Sequence, residues 1–154
     1  AALLARRDLV TPYNIIGAIL SAYIAAKLKR VFNQQRPDGA AFEDPGMPSS
    51  HALVSTFVAA AWATHLQSAP CTCGLLAAAL AIAALRVVCG HHTWAQVGVG
   101  AALGVPIGVA WTALASHVNI ADGGSRWYVA VYGAYFVAGV VFLRRALRKG
   151  KLRQ

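Results

Sequence analysis

Residues 74–90 read GLLAAALAIAALRVVCG, Gly74 to Gly90, with Arg86 as their single charge. A run of about 17 apolar residues is the lower limit for a helix that crosses a bilayer. The run has no polar stripe that could face water, as a soluble helix would need. Arg86 lies close to its end. A cation inside an apolar span is expensive, and residues placed this way are functional by default. Four further apolar stretches can be drawn, at roughly 9–28, 50–68, 94–116 and 126–143. The whole chain of 154 residues is 58% apolar and only 12% charged, whereas soluble domains carry about 25% charged residues. These features predict an all-α, polytopic membrane helical bundle of about five transmembrane helices, forming a single membrane-embedded domain over 1–154.

The net charge of +9 first suggests nucleic acid. The placement of the charges argues against it. Arg144, Arg145, Arg148, Lys149, Lys151 and Arg153 form a basic tail at 144–154 behind the last span, a membrane-flanking pattern suited to anionic head groups. The expected partner is therefore the lipid bilayer, with no nucleic acid. Cys71, Cys73 and Cys89 form no pair of ligand pairs at a zinc-like spacing and read as incidental thiols. The first residue is Ala, so a processed or trimmed N-terminus is expected.

Working outward from Arg86, Gly90 ends the span, and His91-His92-Thr93 lead into the next. Upstream, the first span ends in Lys27-Leu28-Lys29-Arg30. A segment at roughly 33–48 with Pro37, Gly39, Pro45, Gly46 and Pro48 should be loop. Ser49 or Ser50 then suits an N-cap, which places His51 in the first turn of span two. A tight loop is expected over Ser68–Gly74, and another over Asp122–Ser125. Gly98, Gly100, Gly104 and Gly108 in span four have the spacing that lets membrane helices approach closely. Counting crossings brings Lys29, Arg36, Ser49, Ser50, His51, Arg86 and His92 to one membrane face. The basic tail falls on that same face, which the positive-inside rule turns toward the cytosol, or the stroma of a plastid.

Such a face can handle phosphate. Lys and Arg neutralise a phosphomonoester, Arg bidentately, and the start of span two offers backbone N–H groups to an anion. A neutral imidazole can attack phosphorus, and a second histidine can protonate the departing alkoxide. Asp38, Glu43 and Asp44 lie in one loop at a spacing poorly suited to magnesium, so no metal and no cofactor are expected.

The islands Lys29-x6-Arg36-Pro37, Pro48-Ser49-Ser50-His51 and Arg86-x5-His92 resemble the signature of the lipid phosphate phosphatases, or type 2 phosphatidic acid phosphatases, a superfamily that shares its site with vanadium haloperoxidases. The resemblance implies Lys29, Arg36 and Arg86 as phosphate ligands with Ser49 and Ser50 assisting, His51 as general acid, and His92 as the nucleophile that becomes a phosphohistidine. His91 stands one place short of the register. Ser50 replaces the signature glycine and Leu85 the signature serine. Gln96 stands where the signature has aspartate, and its oxygen can still accept from the Nδ1–H of His92, without charge. The run His92-Thr93-Trp94-Ala95-Gln96-Val97 is similar to dolichyl diphosphatases of the endoplasmic reticulum. Asn33–Pro37 and Asp44–Ala52 look closer to the plastid epsilon-type lipid phosphate phosphatases. The resemblance thus implies phosphatidate hydrolysis to diacylglycerol in a plastid membrane. Two alternatives are a dolichyl or polyprenyl diphosphatase and a catalytically weak phospholipid-binding relative, the latter motivated by Gln96. The superfamily core has six spans and five are visible, so an N-terminal helix is expected to be missing. The residues do not indicate an oligomeric state.

Overall fold

The structure, a computed structural model, describes residues 9–118, 120 and 125–151. They form five helices: α1 (Val10–Phe32), α2 (Ser50–Leu66), α3 (Ala69–Val88), α4 (Trp94–His117) and α5 (Ser125–Lys151). The expected all-α bundle is observed. The segment between α1 and α2 is irregular, as its prolines and glycines dictate. Ser49 caps α2, its hydroxyl accepting from the N–H of Ala52, so His51 does lie in the first turn.

One expectation is corrected. The tight loop placed over Ser68–Gly74 is mostly helix, because α3 already starts at Ala69. Pro70 sits in its first turn, where the missing N–H would have had no partner anyway, so the proline opens the helix instead of delaying it. Of the five expected spans, three meet the length and hydropathy of a membrane crossing: Ala69–Val88, Trp94–His117 and Arg126–Arg144. Helix α2 has 17 residues, at the lower limit of about 17 for a crossing. Helix α1 is long enough, but Thr11, Pro12 and Asn14 begin it, and Lys27, Lys29 and Arg30 end it. The basic residues after position 143 continue α5 as helix through Lys151. Arg6, Arg7, Asp8, Arg153 and most of the loop expected at Asp122–Ser125 lie outside the described residues.

Packing follows the inside-out logic of a bilayer. In α3 the buried residues are Ala79 and Ala83, while Leu80, Leu85 and Val88 are exposed. Small residues face the neighbours and large ones face outward, as lipid-facing helices require. Helix α4 lies against α2 along Gly100, Gly104 and Gly108. A Cβ at Gly100 would stand 2.6 Å from the Ser49 carbonyl oxygen, and one at Gly108 2.6 Å from that of Phe57. Gly98, by contrast, faces open space. The glycine stripe therefore fixes how closely the N-termini of α2 and α4 approach, and both helices begin at the site. At the far end, Tyr13 of α1 and Trp111 of α4 stack at 4.3 Å. Each donates to the other's backbone carbonyl, at 3.1 and 3.3 Å. Leu9, Ile120 and Val131 complete this cluster.

Candidate active site

The site forms where α1 ends, α2 begins and the α3–α4 turn passes between them. Helix α1 stops at Asn33, which adopts a left-handed conformation (φ 43) and donates its N–H to the carbonyl of Lys29. Asn tolerates this geometry better than most residues. The turn sends Gln34, Gln35 and Arg36 back across the bundle. Helix α3 ends with Cys89 and Gly90 (φ 69). The carbonyl of Arg86 then accepts from the N–H groups of both His91 and His92, at 3.0 and 3.1 Å, which folds the histidine pair back over the arginine.

Arg36 is the hub. Its Nε donates to the carbonyl of Asp44 at 2.9 Å and its Nη2 to Asp44 Oδ1 at 2.9 Å. Its Nη1 donates to the carbonyl of His91 at 2.8 Å and lies 3.1 Å from Nε2 of His92. Asp44 Oδ2 also takes a proton donor from Lys29 Nζ at 2.6 Å. One carboxylate thus bridges two of the cations expected to hold phosphate. Burial alone would raise the Asp44 carboxyl, but the Lys29 hydrogen bond and the charges of Lys29 and Arg36 outweigh it and hold it below the usual range.

His92 is 2% exposed. Burial, opposed by its hydrogen bond to Gln96 and reinforced by the charges of Arg36, Lys29 and Arg86, pushes its imidazole down to about 4. The ring is therefore neutral at physiological pH. Its tautomer follows from its neighbours. Arg36 can only donate, so Nε2 accepts, and Nδ1–H donates to Gln96 Oε1 at 3.1 Å. Gln96 is fully buried. Its Oε1 also accepts from the N–H of Thr93 at 3.2 Å, and the Thr93 hydroxyl accepts from the N–H of Gln96 in return. This reciprocal capping box starts α4, and it is legible in sequence as T-x-x-Q.

The other expected residues assemble around this core. Burial first, then the charges of Arg86, Lys29 and Arg36, hold the His51 imidazole below its usual range. Arg86 itself has a buried Nε with no hydrogen-bond partner, a donor left over at the site. The Ser49 hydroxyl is wholly buried in its capping role, and its N–H donates to the carbonyl of Gln96 at 3.0 Å. Ser50 and His51 keep the first-turn N–H groups that have no intrahelical partner by position. Sequence reasoning did not single out Asp44 as an ion-pair partner, the Gln34–Gln35 contact with Gln96, or Phe42, which lies under the Arg36 guanidinium and edge-on to His91. Only Asp44 carried a signal, as a carboxylate in the loop of Arg36. Cys71, Cys73 and Cys89 are free and exposed.

Fold and site together define a helical bundle of membrane type, with a cation-rich, two-histidine cluster at one end. The chain belongs to the PAP2 superfamily, whose model matches residues 13–120. It is 35% identical over 117 residues to lipid phosphate phosphatase epsilon 2, chloroplastic, of Arabidopsis thaliana, and 34% identical over the same length to lipid phosphate phosphatase epsilon 1, chloroplastic. Both alignments cover 71% of this chain and 41% and 42% of those proteins, so the chain spans about two fifths of their length. No solved structure matches it.

Proposed function

We propose that this chain is a lipid phosphate phosphatase of a plastid membrane that converts phosphatidate to diacylglycerol through a phosphohistidine. The observation that carries the reading is the arrangement of His92: a buried neutral imidazole whose Nε2 lone pair points at a guanidinium and whose Nδ1–H is held by Gln96. A neutral ring whose Nε2 carries no proton is the form that attacks phosphorus, once Arg36 turns from it to the phosphate.

In this reading the lipid phosphate displaces Asp44 from Lys29 and Arg36, and Arg86 completes the cation cluster with its unpartnered Nε. The N–H groups of Ser50 and His51 at the α2 N-terminus add donors for the phosphate oxygens. Nε2 of His92 attacks phosphorus as the bond to the glycerol oxygen breaks, and His51, protonated once the phosphate offsets the charges of Arg86, Lys29 and Arg36 that disfavour its cation, gives its proton to the departing alkoxide. Water then attacks the phosphohistidine, His51 accepts the water proton, and inorganic phosphate leaves with Nε2 restored. The three cations supply the charge stabilisation of the transition state. Membership of the PAP2 superfamily and likeness to two chloroplastic lipid phosphate phosphatases support this assignment.

The test is phosphate release by the purified chain in mixed micelles containing EDTA, with phosphatidate and dolichyl diphosphate offered separately and His92→Ala as control. Release from phosphatidate that is lost in His92→Ala is the expected result. Preference for the diphosphate would reassign the substrate. A folded chain inactive on both would overturn the phosphatase reading and favour a phospholipid-binding role.

A further inference from the structure

The carboxamide of Gln96 uses all of its hydrogen-bonding capacity. Its oxygen accepts from His92 Nδ1–H and from the N–H of Thr93. Its NH2 group donates to the backbone carbonyl of Gln35 at 2.7 Å and to the side-chain oxygen of Gln34 at 3.2 Å. The ends of this chain of bonds are chemically fixed. Arg36 is only a donor, and the Gln35 carbonyl is only an acceptor. Every polarity between them follows: Arg36 donates to His92, His92 to Gln96, and Gln96 to Gln34 and Gln35. A carboxylate in the same place would set an oxygen against the Gln35 carbonyl in a fully buried position, which is strongly unfavourable. The position is therefore built for a neutral amide.

The loop that supplies these acceptors is itself closed on the amide. Gly46 donates its N–H to the carbonyl of Gln34 at 2.7 Å. A Cβ at Gly46 would stand 2.5 Å from Gln96 Nε2, so the backbone there lies directly on the carboxamide. Asn33, in its left-handed turn, aims Gln34 and Gln35 at α4 from the end of α1.

We infer that Gln34 is a positioning residue for the reaction: with the Gln35 carbonyl, it holds the Gln96 amide in the orientation that keeps His92 in its Nδ1–H tautomer, with Nε2 free to attack. The role rests on the proposed phosphatase reading, but its structural half does not. Gln34 is exposed, so substituting it leaves the core intact, and its effect travels only through Gln96.

The experiment uses the full chain in detergent micelles with 15N-labelled histidine, the His92 signals being assigned by their absence in His92→Ala. Wild type, Gln34→Leu, Gln34→Ala and Gln34→Glu are compared. The expected result is an Nδ1–H tautomer at His92 in wild type and in Gln34→Glu, which keeps an acceptor oxygen, and a mixed tautomer in Gln34→Leu and Gln34→Ala. In parallel, kcat on phosphatidate falls about fivefold in Gln34→Leu, the weight of one neutral hydrogen bond, with KM unchanged. The same substitution has no further effect in a Gln96→Leu background, because residues acting through one network are not additive. An unchanged His92 spectrum in both Gln34→Leu and Gln34→Ala, or a fivefold loss that persists in Gln96→Leu, would overturn the inference. If wild type releases no phosphate while the His92 spectrum still shifts with Gln34, the positioning role stands and the phosphatase reading falls.

Discussion

Nη1 of Arg36 lies 3.1 Å from Nε2 of His92, so a cation covers the lone pair of the ring nitrogen proposed to attack phosphorus. The same guanidinium is held by the Asp44 carboxylate and the His91 carbonyl. In the proposed reaction, a phosphate entering the site would exchange these internal partners for its own oxygens, and the nucleophile would be uncovered as Arg36 turns to the substrate.

Arg36→Lys keeps the charge but loses the planar fork that serves Asp44, His91 and His92 together. With charged hydrogen bonds worth about 1.5–3 kcal/mol each, kcat/KM on phosphatidate should fall on the order of 100-fold. Steady-state phosphate release checks this, and a loss below threefold would remove Arg36 from the phosphate-binding set.

Asp44 pairs with Lys29 and Arg36, the two cations that the proposed substrate would need. Asp44→Asn should lower KM for phosphatidate and strengthen inhibition by inorganic phosphate, each by about two- to fivefold, since half-exposed ion pairs are worth about 1 kcal/mol or less. A raised KM would instead make Asp44 a scaffold that holds the two cations in place.

The His92 imidazole is pushed from an ordinary 6.5 down to about 4. The acid limb of kcat/KM, which reports the free enzyme, should therefore lie near 4. Bound phosphate neutralises the neighbouring cations, so the limb of kcat should lie higher. Stability follows the same group. Between about 4 and 6.5 the unfolded chain binds a proton that the folded one does not, so stability is full above 6.5 and falls as the pH drops toward 4. Asp44, held below its usual range, adds to the loss at the acid end. Thermal unfolding in micelles at pH 7 and pH 4.5 should give a lower Tm at the acid value, reduced by His92→Gln.

Gly104 lies where a Cβ would collide with the Thr56 hydroxyl and the Leu53 carbonyl. Gly104→Leu should force α2 and α4 apart, at about 3 kcal/mol or more, and lower both Tm and activity, because both helices start at the site. Gly98→Leu, with open space around it, should leave both unchanged. Thermal unfolding of the pair distinguishes close packing from a general intolerance of side chains on α4.

Much of this architecture was legible in the chain. The apolar run ending at Arg86, the proline-rich segment after Lys29 and the Ser49 cap place helix ends by local chemistry alone, and counting crossings brought Lys29, Arg36, His51, Arg86 and His92 to one end. The lateral packing was less legible, since hydropathy alone did not show that α2 is the helix enclosed by its neighbours.

The sequence by itself determined the all-α fold, the capping residues and the identity of the cations and histidines, because periodicity, caps and charge are local properties that the residues carry with them. Only the tertiary structure decided what Gln96 does. Its partners Gln34 and Gln35 are 62 and 61 residues away along the chain, and one of the two acceptors is a backbone carbonyl, which every residue possesses and no sequence marks. Likewise, Asp44 became the internal anion of the site only when the turn at Asn33 carried Arg36 back beside it. Hydrogen-bond polarity in a buried network is set by all of its members at once, and they meet only in the folded chain.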